Sequence, residues 1–469
     1  MVTFIVIFPV TLLSQNGDQV DGLWDNVFGD PASGGHGLSS NVNAVAVHPV
    51  TGDVYAAGNF RDAGTERVNN IARWDGNQWH PLGGGLNAVV YAMAIAPDGT
   101  VYAGGRITEA VQPGGAVIPV GYVAKWDGVQ WSPVGQGVDG RVTAIKVDES
   151  TGHIYVGGDW NGGFDHAINT DGTMVYSPKI ARWDGAEWHP LGLGLLAGFG
   201  HGVGSIAVHP ASGNVVIAGT GNFNRVYNTD STQVNISGLA EWDGTEWSNI
   251  GSRWPTVVAF DSGGLLFAGG NMSEIGGLTV NRIATWDGNE WSALGNGFQD
   301  GIVTSIRPAG SSVYIGGSFT RAENGDGSVV GTSLIARWDT GVQRWSALGA
   351  GAYRRNVAYV DAIAVDDAQV NVYAAGRFTE AGGVPSRYFS RWMAEPPVFD
   401  AAYVTFHLDP RRLMRAGLYN TNYRFMVKID GGELAGRYML YETGIDSSLA
   451  VRVPQPVGVN ADYVFSIDL

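Results

Sequence analysis

Cysteine is absent from this chain, which excludes a disulfide framework, a thiolate metal site and a cysteine nucleophile. The absence leaves the compartment open, because a core of this size needs no covalent staple. Charge is sparse: Asp, Glu, Lys and Arg make up 15% of the residues, against an ordinary share of roughly a quarter. The 28 Lys and Arg are outnumbered by 44 Asp and Glu, for a formal net charge of −16. Phosphate neutralisation needs clustered cations, so this balance argues against a nucleic-acid partner and against docking on anionic lipid.

Catalytic motifs are missing too. There is no Gly-x-Ser-x-Gly elbow, no His-Glu-x-x-His, no Walker-type lysine and no EF-hand spacing, and no cofactor is implied. Gly192-Leu193-Gly194-Leu195-Leu196-Ala197 formally fits a dinucleotide fingerprint, but it falls between strand patterns with no helix after it, and reads as chance. No apolar run is long enough to span a bilayer as a helix. The apolar stretch Met1 to Leu13 contains Pro9 and lacks a basic leader, so a secretory signal is the weaker reading. Val2–Phe8 is β-branched and aromatic and reads as a buried strand.

What the chain has in quantity is glycine and tryptophan, 70 and 16 residues, the makings of short strands, tight turns and large aromatic plugs. Trp-Asp-Gly recurs with a second tryptophan close behind: Trp74…Trp79, Trp126…Trp131, Trp183…Trp188, Trp242…Trp247, Trp286…Trp291 and, more loosely, Trp338…Trp345. A seventh leading tryptophan, Trp392, lacks a follower. Its partner is expected at the other end of the chain, where Leu23-Trp24-Asp25 resembles Gln78-Trp79-His80.

Each unit reads as four strands. In the first, Val42–Val47 alternates, Asp53–Gly58 follows a turn, Asn70–Asp75 is the third strand and Gln78–Gly83 the fourth. Gly76 in the Asp-Gly pair suits the positive φ of a short hairpin. Four-stranded units at this repeat length are the pattern of propeller blades. An incomplete last unit and an orphan first strand favour a closed ring over an open stack. The tryptophans are expected to pack between blades and not to stack on sugar.

The order of apolar strand, double glycine (Gly104-Gly105, Gly157-Gly158, Gly269-Gly270, Gly316-Gly317), aromatic-Asp strand and following tryptophan resembles the kelch repeat, with Trp-Asp in place of its usual Tyr-Asp. The resemblance covers roughly residues 21–393 and implies an all-β, seven-bladed propeller. It says little about activity, because that family includes protein-binding scaffolds, enzymes and structural surface proteins. Galactose oxidase shares the architecture, but its copper–radical site requires a cysteine joined to tyrosine, and this chain has none.

In such a propeller the loops between second and third strands open on one face, together with the blade-to-blade connections. These loops are shortest in units one, five and seven and longest in three and four, as expected of a binding face on a rigid scaffold. Units three and four share an insertion, Phe164–Thr173 resembling Phe223–Thr232. Its polar residues Asp165, Asp171, Asn228 and Asp230 are candidate binding residues, although a duplicated loop packing on itself would look the same. Arg354 and Arg355, in the stretch joining units six and seven, could grip an acidic group. Acids follow the second strand in register: Asp62, Glu109, Glu274 and Glu380, with Arg321 in their place in unit six. Calcium binding or paired-acid glycan cleavage would use such residues, and fixing of the loop by hydrogen bonds is the plainer role. His80 with His189 and His48 with His209 recur at equivalent positions and point to turns.

Glu395-Pro396-Pro397 breaks the pattern. Residues 398–469 read as a small β-sandwich of five alternating strands. Val404-Thr405-Phe406 and Tyr463–Asp468 resemble the ends of starch-binding-type sandwich modules, though the sugar-stacking tryptophans of those modules are missing. The chain thus divides into an apolar strand or signal segment (1–20), a propeller (21–393) and a sandwich (398–469). The expected function is a non-enzymatic extracellular or virion-surface structural or interaction protein, its partner another copy of itself or a surface protein or glycan. A secreted glycan-binding or glycan-cleaving propeller is the alternative.

Overall fold

The computed structural model describes residues 23–25, 27–29 and 35–393 apart from 160–161, 196–200, 222–223, 252–254, 355–357 and 367–370, together with five strands nearer the C-terminus. Every extended element among the described residues is a strand. Seven four-stranded antiparallel sheets make up the main body, and the chain is a repeat β-propeller. In the first sheet Val42–Val47 is innermost, followed by Val54–Gly58, Ile71–Trp74 and Trp79–Pro81. The next five sheets repeat that order, with inner strands Val90–Ile95, Val142–Val147, His201–Val208, Pro255–Phe260 and Val303–Ala309. The last begins with Tyr359–Asp366 and takes its outer strand, Leu23–Trp24, from the start of the chain. Each inner strand lies against the inner strands of the sheets before and after it, the last against the first, so the ring closes.

Aromatic packing and hydrogen bonding close it in the same way at every joint. The two tryptophans of each unit are cross-strand partners: Trp74 with Trp79, Trp126 with Trp131, Trp183 with Trp188, Trp242 with Trp247, Trp286 with Trp291 and Trp338 with Trp345. Their ring centroids are 4.9–5.4 Å apart. Trp24 pairs with Trp392 at 5.5 Å and supplies the follower that unit seven lacked. Each outer-strand indole N–H donates to a carbonyl at the end of the preceding unit: Trp131 to Leu82, Trp188 to Val134, Trp247 to Leu191, Trp291 to Ile250, Trp345 to Leu294 and Trp24 to Leu348. Trp79 completes the cycle by donating to His36 O at 2.7 Å. Each such ring is large enough to contribute roughly 4–6 kcal/mol by apolar burial, an upper estimate.

The closing strand carries an extra tie. Asp25 is 3% exposed and forms an ion pair with Arg391 of the neighbouring strand, while its N–H donates to Arg391 O at 2.8 Å. The chain then stays on the last unit, with Arg387 N–H donating to Phe28 O and Leu38 N–H to Arg387 O.

The double glycines allow neighbouring sheets to touch. A Cβ on Gly104 would sit 2.6 Å from Val142 Cγ1, and one on Gly316 2.6 Å from Val360 Cγ1. That separation is closer than side chains tolerate, so alanine there would push the next sheet outward. The register is the same in every sheet. Directly across from the aromatic or valine of the second strand stand Ala46, Ala94, Ala207, Ala259 and Ala364. In the third and sixth sheets that position holds Lys146 and Arg307, opposite Tyr155 and Tyr314.

Near the C-terminus the structure describes Ala402–His407, Tyr423–Ile429, Tyr438–Thr443, Ser448–Val453 and Phe465–Ile467. They form one two-stranded and one three-stranded sheet. The apolar segment Val2–Phe8 lies outside the described residues.

Candidate functional site

One face of the ring carries a second tier of structure. Each link between second and third strands folds into its own hairpin. The short form is Asp62–Ala63 with Glu66–Arg67, Glu274–Ile275 with Leu278–Thr279, and Glu380–Ala381 with Val384–Pro385. The long form is Glu109–Val111 with Val117–Pro119, His166–Ile168 with Met174–Tyr176, Arg225–Tyr227 with Gln233–Asn235, and Arg321–Glu323 with Val329–Gly331. The connections between sheets join this tier: Gly85–Leu86, Gly137–Val138, Gly297–Phe298 and Ala352–Tyr353 pair with the hairpin that follows each of them. The Gly-x-Gly of these connections needs left-handed backbone. Gly192 and Gly194 have φ of 61° and 67°, so both glycines of the chance fingerprint serve a turn of the chain.

An amide at the first tip residue anchors each long hairpin. The side-chain oxygens of Gln112, Asn169, Asn228 and Asn324 accept the backbone N–H of Trp131, Trp188, Trp247 and Trp345 at 2.7–2.9 Å. Asn228, one of the candidate binding residues, is 8% exposed and its Nδ2 donates to Thr232 Oγ1 at 3.0 Å. Asn228→Ala strands a buried N–H and should cost about 1–3 kcal/mol, read as a lowered urea midpoint. A change under a few tenths would break this assignment.

The other candidates bond within their own hairpins. Asp171 Oδ1 accepts Thr173 N–H at 2.8 Å, and Asp230 Oδ1 accepts Thr232 N–H and Oγ1–H at 2.9 and 2.7 Å. These bonds hold both carboxyls below their usual range. Asp165 lies 2.6 Å from Lys179 Nζ. Arg354 is half-buried beside the connection Ala352–Tyr353, and Arg355 lies outside the described residues. Asp171, Asn228 and Asp230 therefore each bond within a hairpin tip. Asp62, Glu109, Glu274 and Glu380 open separate hairpins, and Asp62 pairs with Arg67 at 2.9 Å. Among the described residues no group of three or more His, Cys, Asp or Glu side chains is placed to hold a metal ion.

Histidines and Trp-Asp carboxylates serve turns. His48 Nδ1 accepts Val50 and Thr51 N–H, and His209 Nδ1 accepts Ala211 and Ser212 N–H. Asp75 Oδ1 accepts Asn77 and Gln78 N–H, and its Oδ2 is 2.6 Å from His80 Nε2. Against the opposing effect of burial, those hydrogen bonds hold the Asp75 carboxyl down at about 2.

Beside its polar residues the face also exposes large apolar side chains. Val117, Met174, Tyr176 and Val329, on the outer strands of long hairpins, are 48–57% exposed, and Tyr353 on a connection is 56% exposed. Sequence reading passed over these residues. Strand alternation hides them, since an apolar residue in a strand ordinarily signals the core.

The bulges of the inner strands hold a group that repeat comparison could have found. Every inner strand shifts register near its start or its partner's end. At that bulge Asn43, Thr143 and Thr304 donate to Val90, Val203 and Val360 carbonyls of the following sheet at 2.7–2.8 Å. The seventh sheet has Asp361 there. Burial raises its carboxyl to about 6, with Arg377 opposing the rise. A carboxyl raised above its unfolded value adds stability below about pH 4 that is lost as pH climbs through the folded value. Asp361→Asn should therefore raise the melting temperature near pH 8 and change it little near pH 4. Equal shifts at both would contradict this.

The fold and its decorated face define the class: a repeat β-propeller with a raised hairpin tier on one side. No family model matches the chain. Part of it, 22% of its length, is 29% identical to a portion of polarized growth protein L1 from Phoma sp., and that portion is 10% of the relative's length. Among solved structures, the RRP9 WD40 repeats align with a TM-score of 0.44 and 12% identity, covering 76% of this chain and 95% of theirs. U3-55K aligns with the same TM-score and identity over 80% and 99%. Among the described residues no helix is long and apolar enough to cross a membrane.

Proposed function

We propose that the chain is a seven-bladed, kelch-type propeller that works as a rigid, non-enzymatic interaction unit at a cell or virion surface. Residues 21–393 would form the ring and 398–469 a sandwich for attachment. The partner surface is the hairpin tier, and the partner is a second copy of the chain. The observation that carries this reading is the set of exposed apolar side chains, Met174, Tyr176, Val117, Val329 and Tyr353, raised on hairpins of unequal length. Large apolar groups held out in water on a rigid base are what an interface core requires.

Sedimentation of the full chain over a concentration series tests it. Reversible self-association that Met174→Ser with Tyr176→Ser abolishes, with the melting temperature unchanged, would support the reading. A monomer at every concentration would overturn self-association, and saturable binding of a glycan to this face would favour the secreted glycan-binding alternative.

A further inference from the structure

The outer strand of each sheet is an edge, and most of these edges are closed to further pairing. In the fifth sheet Thr285 and Ser292 exchange the ladder hydrogen bonds, so Trp291 and Ala293 turn their N–H and C=O groups outward at the rim. The same two positions recur in the other sheets. Long hairpins of the raised tier cover the first of them: Gln112, Asn169, Asn228 and Asn324 accept the N–H of Trp131, Trp188, Trp247 and Trp345. Gln112 Nε2 also donates to Trp131 O at 2.7 Å. Proline removes the second donor in the first three sheets, as Pro81, Pro133 and Pro190. Proline and covered edges are common guards against edge-to-edge pairing. Among the first six sheets only the fifth has neither guard. Its short hairpin turns at Gly276-Gly277 and brings no side-chain amide, and Ala293 stands where the first three sheets have proline. The N–H groups of Trp291 and Ala293 have no partner among the described residues.

This edge is open in its side chains as well. Trp291 is partly exposed, and Ser292 and Ala293 are exposed, whereas the equivalent tryptophans of the other sheets are no more than 8% exposed. No charged side chain occurs from Trp291 to Gly297 in a chain of net charge −16, so a second acidic copy meets no like charge along this stretch. The strand is also complementary to itself. In an antiparallel pair with Ser292 on the two-fold axis, Trp291 faces Ala293 of the copy, large against small, and Glu290 faces Leu294. Trp291 N–H then donates to Ala293 O of the copy, and Ala293 N–H to Trp291 O of the copy, with both bonds repeated by symmetry. We propose that the edge Trp291–Ala293 joins two copies of the chain into one continuous sheet across their fifth units. The proposal shares with the function above the identity of the partner, and it places this contact on the rim instead of the hairpin tier.

Sedimentation of the full chain over a concentration series, with amide hydrogen exchange on the same samples, tests the rim. The parent should associate reversibly, and the Trp291 and Ala293 amides should exchange more slowly as concentration rises. Ala293→Pro copies the first three sheets, so its melting temperature should hold while dimer affinity falls at least about tenfold, the Ala293 donor of each copy being lost. Ala293→Glu places a charge on the edge away from the core and should weaken pairing too; it decides the matter if the proline variant fails to fold. Met174→Ser with Tyr176→Ser leaves the rim intact, so concentration-dependent protection of Trp291 in that variant would support rim pairing whatever the hairpin tier does. Association lost in that double variant but undiminished in folded Ala293→Pro would overturn the rim and keep the tier. Exchange at Trp291 and Ala293 that is the same at every concentration would overturn the rim as well.

Discussion

Asp25→Ala is expected to destabilise the folded chain by about 3–5 kcal/mol, the usual cost of leaving a buried charge without its counter-ion. Asp25 is almost fully buried and its partner Arg391 has 12% side-chain exposure, so water cannot replace the lost carboxylate. The location adds to the effect. Strand Leu23–Trp24 is the outer edge of the last sheet, and it reaches that sheet from the opposite end of the sequence. Loosening it opens the ring at the one place where two distant parts of the chain must meet. The control is Asp62→Ala, which breaks an ion pair with both side chains about half exposed (57% and 46%) and should cost no more than about 1 kcal/mol. Denaturant midpoints for the two variants measure the difference. Equal midpoints would mean that the Asp25–Arg391 pair does not secure closure.

Trp131→Ala should be comparably severe, at about 3–5 kcal/mol. This ring is 1% exposed, packs against Trp126 and sends its N–H to Leu82 O of the preceding sheet at 2.8 Å. Trp131→Phe separates the contributions. It keeps most of the apolar bulk and leaves a buried carbonyl without its donor, so about 1–3 kcal/mol is expected. A phenylalanine variant as unstable as the alanine one would assign the whole effect to the hydrogen bond. A variant as stable as the parent would assign it to packing. Because six other indoles donate in the same way, the result bears on every joint of the ring.

Much of this architecture was legible in the sequence because it repeats. The spacing of Trp74 and Trp79, copied along the chain, defines a hairpin whose two tryptophans face each other. The unpaired Trp392 called for a partner that only Trp24 could supply. The C-terminal strand pattern likewise matches the strands described there. For the candidate binding residues the sequence was less specific. Asp171, Asn228 and Asp230 stood out as polar residues on long loops, and the structure gives each an anchoring bond inside its own hairpin. Sequence cannot distinguish a polar residue that meets a ligand from one that meets a backbone N–H, because both favour the same side chains in the same loops.

The amino-acid sequence alone determined the repeat, the strand order within each unit and the joining of the two ends, since these follow from local periodicity and turn chemistry. Tertiary structure decided which residues share a place. It put Asp361 at the bulge of the last sheet's inner strand and left Met174 and Tyr176 exposed on a raised hairpin. Those placements depend on how seven separate sheets pack around one axis, and residues far apart along the chain become neighbours only when that ring is closed.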